Sequence, residues 1–255
     1  MALLQTSGLS VTFGGLRAVD RVDLRVERGE LVGLIGPNGA GKTTLIDAVT
    51  GFVPTSGRVV FDGREVDGLP PHRRAALGLG RTWQSLELFD DLSVEENLLV
   101  AAQPQTTATF LLDLVRPGRS RARDGVDFAF EVLGIGHLAD RMPGELSQGQ
   151  RKLVSAARAL AARPQLLCMD EPAAGLDTDE SAALGARLRA IVDAGVTVLL
   201  VDHDMQLVLS VCDRIHVIEF GHTIAEGTPT EVQRDPAVIA AYLGASPSAA
   251  PEGGE

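Results

Sequence analysis

The chain has little cysteine, no long apolar run and no surplus of positive charge. Its two cysteines, Cys168 and Cys212, stand in no metal-ligand spacing, and the first lies inside an apolar run. Both are expected to be reduced and packed, the usual state of a free cysteine. Uninterrupted apolar stretches, such as 198–201 and 217–218, fall far short of the ~20 residues needed to span a bilayer, so no membrane crossing is expected. Residues 1–7 show no basic segment followed by an apolar one; they form no secretory signal, and the cytoplasm is the expected compartment. With 23 Lys+Arg against 34 Asp+Glu, the formal net charge is -11, which argues against a basic track for nucleic acid. A nucleotide is not excluded, because charges beyond about 8 Å are largely screened and local groups decide phosphate binding.

What is present is a core. At 255 residues and 45% hydrophobic, the chain can bury one elaborated α/β domain. The first 30 residues alternate as strands do, with turns at Gly14-Gly15 and Arg28-Gly29, and predict an antiparallel, half-exposed sheet. The runs 31–35, 166–169 and 196–201 are short and apolar, the pattern of strands buried on both faces in a parallel sheet. Between them, roughly 92–163 has helical spacing, broken by Pro117-Gly118 and the basic residues Arg116, Arg119, Arg121 and Arg123. This predicts a helical lobe, about 86–163, inserted in an α/β core with a mixed sheet. A hairpin around Gly221 follows, then two short helices, the first with Thr228, Pro229 and Glu231 as a capping box and the second opening at Asp235-Pro236. Residues 1–244 are expected to form the folded unit and 245–255, rich in Ser, Pro, Ala, Gly and Glu, a disordered tail.

Gly36, Pro37, Asn38, Gly39, Ala40, Gly41, Lys42 and Thr43 fit G-x-x-x-x-G-K-T between an apolar strand and a helical run that opens at Thr44. Glycines let backbone N–H groups turn toward phosphates, the helix N-terminus adds positive potential, Lys42 reaches the β and γ phosphates, and Thr43 offers a hydroxyl to Mg²⁺. The run ending in Asp170 and Glu171 is the second site. Consecutive strand residues point to opposite sides, which predicts Asp170 facing the metal and Glu171 facing the γ-phosphate and the attacking water.

Leu146-Ser147-Gln148-Gly149-Gln150 resembles the signature sequence of ABC ATPases, a second phosphate-binding helix start, with the helix after it expected over 151–162. The resemblance implies a P-loop NTPase of the ABC-ATPase fold that binds ATP and Mg²⁺ and hydrolyses ATP. It implies a dimer with a second ABC ATPase subunit, in which Ser147, Gly149 and Gln150 of one subunit approach the γ-phosphate held by the other's P-loop. It further implies that Phe13 stacks on adenine, that Gln84 contacts Mg²⁺ and the water and links the site to a permease, and that Gly175-Leu176-Asp177 lies at the dimer interface. His203 would touch the γ-phosphate. For Phe13 the competing expectation is a core residue.

The match runs from residue 9 to residue 244. A narrower resemblance, to the LivG-like ATPases of branched-chain amino acid importers, rests on residues 13–19, Arg81-Thr82-Trp83-Gln84, Asp202-His203-Asp204-Met205 and the 227–244 ending. Gln148 stands where those importers usually have Tyr, and Trp83 where they have Phe. The partners so implied are transmembrane permease subunits and a solute-binding protein, with no nucleic acid; the chain would sit at the cytoplasmic face of the membrane. Lipopolysaccharide-export ATPases share the 227–244 ending. A soluble ABC ATPase is the third alternative, disfavoured by the single unit, the lack of a heptad tract and the acidic charge.

Overall fold

The computed structural model describes residues 2–82, 88–102 and 121–243. Trp83, Gln84, Gly244 and the tail 245–255 lie outside the described residues.

Strands β1 (Ala2–Phe13), β2 (Leu16–Val22) and β3 (Arg25–Glu27) begin an antiparallel sheet. Strand β4 (Leu31–Ile35) leaves it for a second sheet, and helix α1 (Lys42–Thr50) follows. Strands β5 (Ser56–Phe61) and β6 (Arg64–Glu65) return to the first sheet, whose order is β2-β1-β5-β6 with β3 on β1. After helix α2 (Pro71–Ala76), the second sheet gathers β7 (Leu79–Arg81), β8 (Leu166–Asp170), β9 (Thr197–Val201), β10 (Arg214–Glu219) and β11 (His222–Gly227). Its order is β11-β10-β4-β9-β8-β7, parallel except for the β10–β11 hairpin, so the core sheet is mixed, as predicted.

Every residue of β4, β8 and β9 is buried, because both faces of these strands are covered. Val32, Leu34, Cys168, Leu199 and Val201 pack with α1 and the antiparallel sheet. Their neighbours Leu31, Ile35, Leu167, Met169, Val198 and Leu200 face the other way, toward helices. Burial pushes both thiols, Cys168 and Cys212, up to about 12, which keeps them protonated and packed.

Helices α3 (Val94–Ala102), α4 (Arg121–Leu133) and α5 (Gln148–Ala161) form the lobe between β7 and β8, with short 3₁₀ turns at Gly136–Leu138 and Pro143–Glu145. Their apolar faces, including Leu98, Val126, Leu133, Val154 and Leu160, join one cluster with Leu167 and Leu200 of the core sheet. The helices α4 and α5 meet backbone to backbone: a Cβ on Gly125 would lie 2.1 Å from Ala161 O. Buried Asn97 fixes the approach to the lobe, its amide donating to the carbonyls of Phe89, Leu92 and Ser93 at 3.0 Å while its Oδ1 accepts from Phe89 N–H at 2.9 Å.

Helix α5 departs from expectation. It begins at Gln148 rather than 151, because Ser147 caps it. Helix α6 (Thr178–Asp193) is capped by the Asp177 carboxylate, and helix α7 (Met205–Val211) by that of Asp204. The last two helices, α8 (Pro229–Arg234) and α9 (Pro236–Leu243), start where the proline and capping signals put them; Thr228 and Glu231 make the expected box.

His216 of β10 is fully buried, with Nε2 2.9 Å from Thr223 Oγ1 and Nδ1 3.6 Å from Glu226 Oε2. Burial pushes the imidazole below its ordinary range, and the Glu226 carboxylate opposes this only in part. Below about pH 6.5 the unfolded chain therefore takes up a proton that the folded chain refuses, and stability falls as the pH drops from there. In His216→Gln this contribution disappears. Urea unfolding at about pH 7.5 and about pH 5.5 should show a smaller loss of stability for the variant than for the parent chain.

Candidate nucleotide site

The carboxyl ends of β4, β9 and β8 are aligned, since Val201 is in register with both Leu34 and Asp170. Loops leaving these three strands therefore share one edge of the sheet, where open α/β sheets place their ligands.

The loop after β4 is held tightly at its two ends and left open at its tip. A Cβ on Gly36 would come 2.0 Å from Ile218 O of β10, and one on Gly41 2.4 Å from Ala18 O of β2. Gly221 N–H donates to Ala40 O at 2.9 Å, so the β10–β11 turn braces the loop from outside. Pro37 is half-buried and accepts from Ala40 N–H, whereas Asn38 and Gly39 are exposed, and no atom lies within 4 Å of a Cβ on Gly39. Helix α1 has no side-chain cap and no acid in its first turn, which leaves its N-terminal N–H groups and their positive potential available to an anion. Lys42 is only 6% exposed, and its Nζ donates to Gly36 O at 2.7 Å and Pro37 O at 3.0 Å. Burial pushes its pKa down; the charges of Glu171 and Asp170 act against that. Thr43 is exposed and Thr44 half-buried at the start of the helix.

Asp170 ends β8 beside this helix, buried, with Thr43 Oγ1 donating to its Oδ1 at 3.5 Å. Burial raises its pKa, and the Arg81 guanidinium, 3.5 Å from Oδ2, is the main opposing influence. Arg81 also pairs with Asp47 of α1, joining that helix to β8 from the end of β7.

Glu171 lies one residue beyond the reach of the pleat rule. The strand ends at Asp170, and Glu171 has φ 50°, in the left-handed region, with its N–H donating to Val201 O at 2.7 Å. Its direction is set by this turn and not by strand alternation. A non-glycine residue there costs about 1–3 kcal/mol, and Pro172 would by itself favour an extended residue before it. The turn is held by Asp202, buried at the end of β9, whose Oδ2 accepts from Ala173 N–H at 2.9 Å and Oδ1 from Asp204 N–H at 3.0 Å. His203 follows with its ring 58% exposed and Nδ1 3.8 Å from Asp202 Oδ1.

The second helix start is a different surface of the same chain. Ser147 Oγ accepts from Gln150 N–H at 3.2 Å, and Gln150 Oε1 accepts from Ser147 N–H at 2.9 Å. A Cβ on Gly149 would meet Glu180 Oε1 at 3.1 Å, and one on Gly175 would meet Gln148 Nε2 at 3.0 Å. Residues 147–150 thus lie against the 175–180 segment. Phe13, at the end of β1, is 47% exposed and its cross-strand partner Leu16 is 73% exposed. That exposure excludes the core reading of Phe13. Gln84 lies outside the described residues.

Residues 19–174 match the sequence family described as ABC transporter. The chain belongs to that family. It is an ATP-binding, ATP-hydrolysing subunit of the ABC type. Residues 222–247 match a second family, described as branched-chain amino acid ATP-binding cassette transporter. Over 251 residues the ABC subunit is 44% identical to the high-affinity branched-chain amino acid transport ATP-binding protein BraF of Pseudomonas aeruginosa, covering 95% of this chain and 98% of the relative. It is 39% identical over 249 residues to LivG of Escherichia coli K12, a protein of the same description, with the same coverage. It is also 40% identical over 245 residues to the lipopolysaccharide export system ATP-binding protein LptB of that organism, covering 96% of this chain and 98% of the relative. Among solved structures, the ADP conformation of an ATP-binding cassette of an ABC transporter superposes with a TM-score of 0.84 at 33% identity, covering 96% of this chain and 99% of that one. A nucleotide-free cassette gives 0.83, also at 33% identity, covering 95% and 99%.

Sequence reasoning missed three residues of this ABC site: Arg81 beside Asp170, Asp202 beneath the Glu171 turn, and Lys152, whose Nζ donates to Pro172 O. Arg81 and Asp202 lie inside quoted motifs, yet nothing in the spacing says what they touch.

The two loop glycines should respond differently to alanine. Gly39→Ala meets only its left-handed backbone penalty, about 1 kcal/mol, whereas Gly41→Ala adds a collision with Ala18 O that costs a further ~1–3 kcal/mol. Denaturant unfolding of both variants checks the order.

Proposed function

We propose that this ABC subunit powers import of branched-chain amino acids or a related small polar solute through a separate permease. The observation that carries the chemistry is the meeting of buried Lys42, the Thr43 hydroxyl and buried Asp170 at the foot of α1, with Glu171 turned out of the strand beside them. The match of residues 222–247 to the branched-chain amino acid cassette family supports import over lipopolysaccharide export, although LptB is similar at 40% identity.

In this reading the backbone of residues 36–41 cradles the phosphates, Lys42 leaves its loop carbonyls for the β and γ phosphates, and Thr44 closes the phosphate site. Phe13 stacks on adenine; its exposure supports that role. Thr43, Asp170 and Gln84 would hold Mg²⁺. Hydroxyl, carboxylate and amide oxygens suit that hard cation, and a site of one carboxylate completed by substrate phosphates is its usual arrangement. Among the described residues no cluster of three or more His, Cys, Asp or Glu could hold a metal alone. The ion supplies neutralisation of phosphate charge. Glu171 accepts a proton from the attacking water, and His203 contacts the γ-phosphate.

Ser147, Gly149 and Gln150 complete the site of a second ABC subunit, and loss of the γ-phosphate releases the pair. Residues 1–244 form this cassette, with the lobe of about 86–163 as its helical subdomain. The permease docks near 84–92 and the lobe, which brings the chain to the cytoplasmic face of the membrane; a solute-binding protein delivers the cargo. Among the described residues no helix is long and apolar enough to cross a membrane.

Glu171→Gln should retain ATP binding and dimerisation while kcat falls about 10²–10⁴-fold, the share of a general base. Lys42→Ala should lose tight ATP binding instead. Nucleotide-binding and steady-state assays separate the two, and wild-type turnover by Glu171→Gln overturns the role given to this carboxylate. For the solute, calorimetry on the co-encoded solute-binding protein should detect branched-chain amino acids; if no amino acid, amide or urea binds, the import reading falls.

A further inference from the structure

We infer that Lys152 is a positioning residue: from the signature helix α5 it grips the turn that aims Glu171. The inference rests on the reading of Glu171 as the group that activates water.

Lys152 stands in the second turn of α5, half-buried, and its Nζ donates to Pro172 O at 2.8 Å and to Ala174 O. These carbonyls flank Ala173, whose N–H is taken by Asp202 Oδ2 at 2.9 Å. The three residues after Glu171 are therefore held from two sides, by the helical lobe through Lys152 and by the end of β9 through Asp202. Glu171 keeps a left-handed backbone that its own residue type and the following proline both disfavour, and such a conformation persists only where surrounding contacts impose it. An ammonium has three donors and no acceptor, so it can clasp two carbonyls at once, which an apolar side chain of similar length cannot. Burial pushes the Lys152 ammonium down from its ordinary range, while Asp202, Glu171 and Glu180 support its charge.

The consequence concerns the dimer. The N-terminus of α5 faces ATP held by the partner, and Glu171 serves ATP held by its own P-loop. Lys152 makes the aim of Glu171 depend on where α5 sits, so that engagement of one nucleotide is felt at the other.

The test uses Lys152→Met and Lys152→Arg in the full chain, alone and combined with Glu171→Gln. Lys152→Met should lower kcat about 10²-fold, the effect of a ~1 Å misplacement near a reacting group, with KM for ATP and the unfolding midpoint unchanged. Lys152→Arg, which keeps charge and donors, should recover most of the rate. In single-turnover hydrolysis by the Glu171→Gln chain, adding Lys152→Met should cause no further loss. Unchanged kcat in Lys152→Met overturns the inference, as does an equal loss with and without Glu171. Wild-type turnover by Glu171→Gln alone overturns the underlying role of Glu171, a separate failure visible without any change at Lys152.

Discussion

Strand β9 pairs in parallel with β4 on one side and β8 on the other, with Val201 opposite both Leu34 and Asp170. That double register decides which chain segments can meet. One strand's carboxyl end opens the glycine loop, another delivers Asp170, and β9 leads directly into Asp202 and the exposed side chain of His203. A slip of one residue in either pairing would turn Asp170 to the opposite face and separate it from Thr43. Burial on both faces makes such a slip costly, because it would exchange the two apolar sets that pack against α1 on one side and the helices on the other.

The strained point of the molecule lies at that same edge. Glu171 adopts its left-handed backbone because Val201 O takes its N–H and because Asp202 and Lys152 fix the turn that follows. The local sequence argues for an extended residue, and tertiary contacts override it. Arg81 plays a comparable part for Asp170: burial alone favours the neutral acid, and the guanidinium offsets that burial while tying α1 to β8.

Much of this was legible in the sequence, for identifiable reasons. Continuous apolar runs located β4, β8 and β9, since strands covered on both faces leave polar residues only at their ends, and the Thr228 and Pro229 signals located a helix start because caps act within four residues. The glycine loop was legible through its strand-loop-helix setting. The start of α5 was set three residues late, although Ser147 and Gln150 already formed a capping pair. The left-handed turn at Glu171 was not legible, because strand alternation was carried one residue past the end of the strand. Contacts such as Lys152 with Pro172, from the lobe to the sheet edge, or Ala173 with Asp202, between the loops after β8 and β9, join segments distant in sequence, and no period or local signal encodes them.

The brace on the glycine loop comes from far along the chain. Gly36 is shaped to pass Ile218 O, and Ala40 O is bonded by Gly221 N–H. During synthesis the loop at 36–41 therefore lacks its outer wall until the β10–β11 turn has been made, about 10–40 s later at ~5–20 residues per second. A nascent chain has no finished phosphate cradle until the β10–β11 hairpin has been made, so full stabilisation by nucleotide waits for that segment to emerge.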